Sequence, residues 1–261
     1  MLELYHGEPN LNALKPLIAL HEKGLDFTSR YVDCANFEHA RLSLQDAVEV
    51  RLNPEGEGPI LVDRGVPMTE SAFIMLYLDE AYPEKPLRAK DAENRWRVLM
   101  WARFLNEVTA PAVGTLGCHK FLTSELKSRD RQQVENDVAA LPSKEQQDGW
   151  RAALYNSYSE EQLAESRRKV ELSVKKVEAA LAAGDWLAGP EFSIADIDAF
   201  ALLRAVAKNF SELLNERNAP RTSAWLARIE GRPSVKAALA TSKTGKPETS
   251  FTPGSEHSRW G

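Results

Sequence analysis

Two neighbouring pairs of residues carry the chemistry that this sequence offers. Gly58-Pro59 opens a short apolar run, Ile60-Leu61-Val62, and Glu70-Ser71 stand where a helix begins after the turn at Asp63-Arg64-Gly65. A proline gives no N–H to a sheet ladder, so a strand that it opens lies extended at an edge and leaves the Gly58 backbone unpaired. The first turn of a helix has free amides, and a carboxylate and a hydroxyl beside them suit a zwitterionic amino-acid group lying across the helix end. That arrangement is a binding site.

Other reactive residues add little. Cys34 and Cys118 are the only cysteines, with no Cys-x-x-Cys or Cys/His ligand spacing, so neither a disulfide framework nor a zinc site is indicated, and no metal is expected. Both read as structural thiols. Tyr5 and His6 close a strand-like run, where alternation makes Tyr5 a core residue, not a catalytic one. A net charge of -5 at pH 7 excludes the basic excess that tracks nucleic-acid phosphates. The chain runs from Met1 straight into Leu2–Tyr5, without a basic region and an apolar core of the signal type, and no stretch has the length of a membrane span. A cytoplasmic location follows.

The elements that must position these residues can be read in order. Leu2–Tyr5 form a strand and His6–Asn10 a loop. A helix starts near Asn12, with Leu14, Leu17, Ile18 and Leu20 at helical spacing, Pro16 tolerated only in the first turn and Gly24 as the stop. Leu25–Val32 are a second strand, giving a βαβ unit with parallel pairing. An irregular helical segment spans Phe37–Leu52, followed by the hairpin and a helix over Thr69–Glu80. The whole is a thioredoxin-like βαβαββα domain over residues 1–83.

Residues 84–90 are a linker, and 91–242 are all helical. Asp91–Leu116 are expected to form one long helix with Trp96, Leu99, Met100, Phe104 and Leu105 on its apolar side. Two shorter helices around Pro142 precede a long helix over Ser159–Ala183, stopped by Gly184. Ser193-Ile194-Ala195-Asp196 is a capping box that opens a largely apolar, central helix over Ile194–Ala207. Two short helices, Trp225–Ile229 and Ser234–Leu239, close the domain. The tail 243–261 is rich in Gly, Pro, Ser and Thr and is expected to be poorly ordered, with Phe251 and Trp260 able to dock.

Four separate signals now stand in order across two domains: Asn53-Pro54 with Gly56 and Gly58-Pro59-Ile60-Leu61; Thr69-Glu70-Ser71; Tyr77-Leu78-Asp79-Glu80 with Tyr82-Pro83; and Ser193-Ile194-Ala195-Asp196. Together they resemble the cytosolic glutathione S-transferases over nearly the whole chain. Further stretches, Asn12–Leu17, Asn36-Phe37-Glu38, Lys144–Asp148 between Pro142 and Trp150, Asp185–Gly189 and Arg232–Ala237, resemble the LigF-like bacterial β-aryl etherases. These use glutathione to cleave the ether bond of lignin-derived β-aryl ether ketones.

The resemblance implies glutathione as cosubstrate, a dimer in which the first domain of one subunit meets the second of the other, and roles residue by residue. Pro59 would be cis, and the Gly58 backbone would pair with the cysteinyl part of glutathione like an added strand. Glu70 would face the γ-glutamyl ammonium, and Ser71 with the helix amides its carboxylate. Asn12, at the start of the first helix, would donate its side-chain N–H to the thiolate; its alternative is a plain N-cap. His39 or Arg41 would approach the glycine end. Asn106, Thr109, Val113, Cys118 and His119 lie where such second domains line the substrate pocket. Three positions depart from the pattern: Ala13 replaces a common serine, Glu57 a Gln or Lys, and Gly58 a valine. The implied reaction is thiolate attack on the ether-bearing carbon, giving a thioether and a phenol. Alternatives are a structural or weakly active subunit of a heterodimeric etherase, or a general glutathione S-transferase.

Overall fold

The computed structural model describes residues 2–38, 58–141 and 143–254. Four strands, β1 (Leu2–His6), β2 (Phe27–Tyr31), β3 (Ile60–Asp63) and β4 (Val66–Met68), form one sheet in the order β2-β1-β3-β4. β1 runs parallel to β2, as the βαβ reading requires, and antiparallel to β3; β3 and β4 are an antiparallel hairpin. At the hairpin tip Arg64 (φ 52°) and Gly65 (φ 78°) are both left-handed, the turn whose twist matches that of the flanking strands. On β1, Leu2, Leu4 and His6 are the buried positions, so His6 takes the core face and Tyr5 is only half-buried.

Helix α1 (Leu11–Lys23) lies between β1 and β2 and is capped by Gly24 at φ 65°. Pro16 is in its second turn, beyond the position expected of it. There it removes the N–H that an unbroken helix would offer to the Asn12 carbonyl. Helix α2 (Ser71–Ala81) follows the hairpin. The segment expected over Phe37–Leu52 lies, past Glu38, outside the described residues.

The second part is helical. A single rod runs through α3 (Ala92–Phe104), a π turn (Leu105–Thr109), α4 (Ala110–Gly117), a second π turn (Cys118–Leu122) and α5 (Thr123–Leu126), ten residues past the expected end at Leu116. Its expected apolar side is corrected by the structure. Val98, Trp101, Ala102 and Leu105 face inward, and the Trp101 indole N–H donates to the Leu187 carbonyl at 3.0 Å. Trp96, Leu99 and Met100 are 59%, 41% and 43% exposed. Apolar residues occupy two adjacent stripes of α3, and only the i, i+3, i+4, i+7 set from Val98 meets the core.

Helices α6 (Arg131–Ala139) and α7 (Lys144–Tyr155) precede α8 (Glu160–Ala180), which ends at Leu181, before Gly184. Helix α9 (Ile194–Asn209) is buried on every side from Ile194 to Val206 and is the axis of the domain. Its capping box forms: Asp196 accepts from the Ser193 amide and hydroxyl, from the Leu187 amide and from the Trp225 indole, all at 3.0–3.1 Å. Helices α10 (Pro220–Glu230) and α11 (Pro233–Leu239) follow.

The two parts are joined through α1, which packs on α2, α9 and α11. Glu22 of α1 accepts from Arg232 at 2.6 and 2.8 Å and from the Ser234 hydroxyl. Lys15 of α1 forms a fully buried ion pair with Asp198 of α9 at 2.7 Å. The tail, expected to be poorly ordered, is corrected over residues 243–254, which are seated, and Phe251 docks as expected, 4% exposed. Phe251 stacks on Phe121 at 5.7 Å and lies where a Cβ on Gly117 would stand, so Gly117 makes room for it. Trp260 lies outside the described residues.

Candidate functional site

The sheet register brings the sequence-predicted residues together. Tyr5 pairs with Ile60, so Pro59 lies beside the end of β1 at which the chain turns into α1 and Asn12. Leu61 pairs with Met68, so β4 delivers Thr69, Glu70 and Ser71 to that same end of the sheet. Asn12, Gly58-Pro59 and Glu70-Ser71 thus share one edge, with the N-termini of α1 and α2 opening onto it. His39, Arg41 and Glu57 lie outside the described residues.

Each local conformation has a physical cause. The Gly58–Pro59 bond is cis; Pro59 is buried and Gly58 exposed, with open space among the described residues where a side chain would begin. Glu70 is exposed and holds φ 67°, a region that a residue with a Cβ adopts only when its surroundings impose it. Ser71 is the first residue of α2 and is buried. The hairpin and α2 are fixed to one another by Asp63, which accepts from the hydroxyls of Tyr77 at 2.7 Å and Tyr82 at 2.8 Å. Burial acts to raise the Asp63 carboxyl, and these two donors outweigh it, holding it below the usual carboxylate range. The hydrogen bond to Asp63 in turn pushes the Tyr77 hydroxyl up to about 12.

Asn12 is the second residue of α1 and is exposed; the N-cap is Asn10, so the plain-cap alternative for Asn12 is not what the structure forms. Neither α1 nor α2 has an acidic residue in its first turn or a side-chain cap bond, whereas Asp91, Asp130, Ser143 and Ser159 each cap their helices. Among the described residues no side chain caps α1 or α2, an arrangement whose positive helix ends suit an anion. Ala13 donates its amide to the Asn10 carbonyl at 3.1 Å and has no hydroxyl to add.

Of the five residues placed where such second domains line the pocket, His119 lines an open cavity with Leu116, Lys120 and Phe210, and the other four are held elsewhere. Thr109 and Val113 are fully buried, Thr109 is hydrogen-bonded to Ser173 at 2.8 Å, and Cys118 is 2% exposed. Asn106 bridges Lys15 and Asp198, and His119 bonds Asn156 at 3.0 Å with its ring edge-on to Tyr158. Burial, with the charges of Asp33 and Glu38, pushes the thiol of half-buried Cys34 up to about 12, which disfavours the thiolate. Among the described residues no group of three His, Cys, Asp or Glu could hold a metal ion, and no helix is long and apolar enough to cross a membrane.

Sequence reasoning missed Glu8. Its carboxylate accepts from Tyr31 Oη, from Ser242 and Thr244 hydroxyls and from the Lys243 and Thr244 amides, at 2.6–3.1 Å. No local signal marks it, because four of these five donors lie at the other end of the chain.

Comparison with known proteins matches two family descriptions: Glutathione S-transferase, N-terminal domain, over residues 1–80, and Glutathione S-transferase, C-terminal domain, over residues 134–233. Protein LigF of Sphingobium sp. (strain NBRC 103272 / SYK-6) is 33% identical over 93% of this chain and 94% of its own length. The crystal structure of beta-etherase LigF from that strain superposes with a TM-score of 0.85, covering 92% of this chain and 99% of the other. A glutathione transferase from Pseudomonas putida, solved with one glutathione disulfide bound per subunit, shares the fold at TM-score 0.68 and 22% identity, over 92% of this chain and 91% of that one.

Proposed function

The chain belongs to the glutathione S-transferase family, whose cosubstrate is glutathione, and from that premise we propose that it is a glutathione-dependent β-aryl etherase. The observation that carries this reading is the full-length likeness to a beta-etherase in both sequence and structure. The site supports it because its residues fit the tripeptide. The exposed Gly58 backbone beside buried Pro59 is free of side-chain bulk and suits strand-like pairing with the cysteinyl unit. Ser71 and the uncapped amides of α2 suit the γ-glutamyl carboxylate, and exposed Glu70 suits its ammonium. His39 is proposed for the glycyl carboxylate.

Asn12, exposed at the start of α1, offers its side-chain N–H to the sulfur, and the α1 amides add the positive end of a helix. In the proposed reaction the thiolate attacks the carbon that bears the aryloxy group beside a ketone; a C–S bond forms, the C–O bond breaks, and its electron pair leaves as a phenolate. The chain's residues orient the partners and stabilise the thiolate. Residues 1–83 hold glutathione and 91–242 the aromatic ether. A dimer is proposed as well, supported by the exposed apolar residues Val66 and Phe73 on the first domain and Trp96, Leu99 and Met100 on the second. A cytoplasmic location completes the reading.

The test is phenol release from a β-aryl ether ketone by the purified chain, with glutathione binding followed by calorimetry. Phenol and thioether formed in equal amounts are expected. Binding without phenol release, together with turnover of a chlorodinitrobenzene-type electrophile, would make it a general transferase. Activity only on adding a related chain would make it one subunit of a heterodimeric etherase. Asn12→Ala is expected to slow thioether formation by more than about twofold, the loss of one hydrogen bond to a charged group; a smaller effect removes Asn12 from the catalytic machinery.

A further inference from the structure

The N-cap of α1 is built in an unusual way. Asparagine at this position ordinarily turns its side-chain oxygen to the amides of the second or third helical residue. Here the Asn10 side chain is 5% exposed and does not cap its helix; its Nδ2 donates to the Ser250 carbonyl at 2.8 Å. Among the described residues its Oδ1 is buried with no hydrogen-bond partner. The next residue, Leu11, holds φ 41°, in the left-handed region that favours glycine. An orphaned acceptor and a strained backbone persist side by side only where the surroundings impose both.

Those surroundings are the C-terminal tail. Its first anchor is Glu8, whose carboxylate takes Ser242, Lys243 and Thr244. A second is Asn209, whose Nδ2 donates to the Glu248 carbonyl at 2.6 Å. The last are Phe251, seated against Gly117 and Phe121, and Pro253, packed where a side chain on Gly149 would begin. Ser250 lies between these anchors, and its carbonyl is held against Asn10.

We propose that the tail acts on the reaction through Asn10: by binding the Asn10 side chain it prevents that side chain from capping α1, and so leaves the Asn12 amide, that of Ala13 being bonded to the Asn10 carbonyl, for the glutathione thiolate. Asn10 is then a positioning residue, two places before Asn12, and Glu8 and Phe251 are the anchors that keep it so. The proposal rests on the glutathione-dependent reading above. It assigns a role to the tail that the sequence composition hides.

The measurement is the thiol pKa of bound glutathione, read from thiolate absorbance against pH in the full chain, for the native protein and for Asn10→Asp and Phe251→Ala. Aspartate cannot donate to Ser250, is free to cap α1, and brings a negative charge to the helix start. Asn10→Asp is expected to raise the thiol pKa by about one unit, which lowers the thiolate fraction at neutral pH about threefold for a thiol that titrates near 7 and by up to about tenfold for a higher one. Phe251→Ala, which unseats the tail and leaves Asn10 chemically intact, is expected to shift it the same way by about half as much. Binding of S-methylglutathione, which has no thiol to ionise, is expected to stay within about twofold in both variants, since the γ-glutamyl and cysteinyl contacts are untouched.

A thiol pKa unchanged in both variants overturns the proposal, as does an equal loss of S-methylglutathione affinity, which would assign the tail a purely structural role. Failure of the native chain to bind either compound would overturn the glutathione reading itself, and this proposal with it.

Discussion

Replacing Lys15 with methionine removes one charge from a pair that water does not reach. The Lys15 ammonium lies 2.7 Å from Asp198, both side chains being 0% exposed, and 3.1 Å from Asn106 Oδ1. Asn106 closes the triangle, donating to Asp198 at 3.0 Å. Methionine fills most of the lysine volume, so little of the effect is cavity formation. What remains is a buried carboxylate with one neutral donor. Removing one partner of such a pair costs about 3–5 kcal/mol. For a chain of this size a kcal/mol is worth about 2–4 °C, so the midpoint of thermal unfolding should fall by about 6–20 °C. The double variant Lys15→Met/Asp198→Leu removes the stranded charge as well and is expected to recover most of the loss. Calorimetry, with urea unfolding at constant slope, gives both numbers, and the cycle gives the coupling. A single variant costing less than about 1 kcal/mol, or a double variant that simply adds two losses, would refute the view that this pair is a desolvated joint between α1 and α9.

Three further outcomes follow from the geometry. Ser71→Ala should weaken glutathione binding about tenfold in calorimetry, the loss of one bond to a charged group; unchanged affinity would take Ser71 out of the site. Asp63 is held below its unfolded value, so its stabilisation is present above the ordinary aspartate pKa and is lost as the pH falls through the lower, folded one. Tyr77→Phe should therefore shrink the drop in urea midpoint on acidification, and an identical acid profile would count against the Tyr77–Asp63 bond. Trp96→Glu, on the exposed face of α3, should convert the proposed dimer to a monomer in light scattering.

Much of the fold was legible because its signals are local. Asp63-Arg64-Gly65 announced a hairpin that forms with two left-handed residues, and Ser193-Ile194-Ala195-Asp196 announced a cap that forms. The proximity of Asn12, Gly58-Pro59 and Glu70-Ser71, the described residues proposed for glutathione, follows from equally local features, since each follows a strand or opens a helix and the register gathers them. What was not legible depends on partners distant in the chain. Periodicity found apolar residues on α3 but could not tell that Trp96, Leu99 and Met100 face away from this chain's own core. Sequence position could not show that Thr109, Val113 and Cys118 are buried, or that Asn106 serves an ion pair whose members lie on α1 and α9. The tail was misjudged because composition measures how little a segment can bury by itself, and says nothing of a carboxylate waiting for it at Glu8.

That carboxylate also sets an order of events during synthesis. Ser242, its closest partner, follows Glu8 by 234 residues, so a ribosome adding about 5–20 residues per second delivers it roughly 12–47 s later. The strands and α1 can assemble in that interval, but the loop at Glu8–Asn10 has no docked tail to fix it. Assembly of this loop waits for residues 242–244.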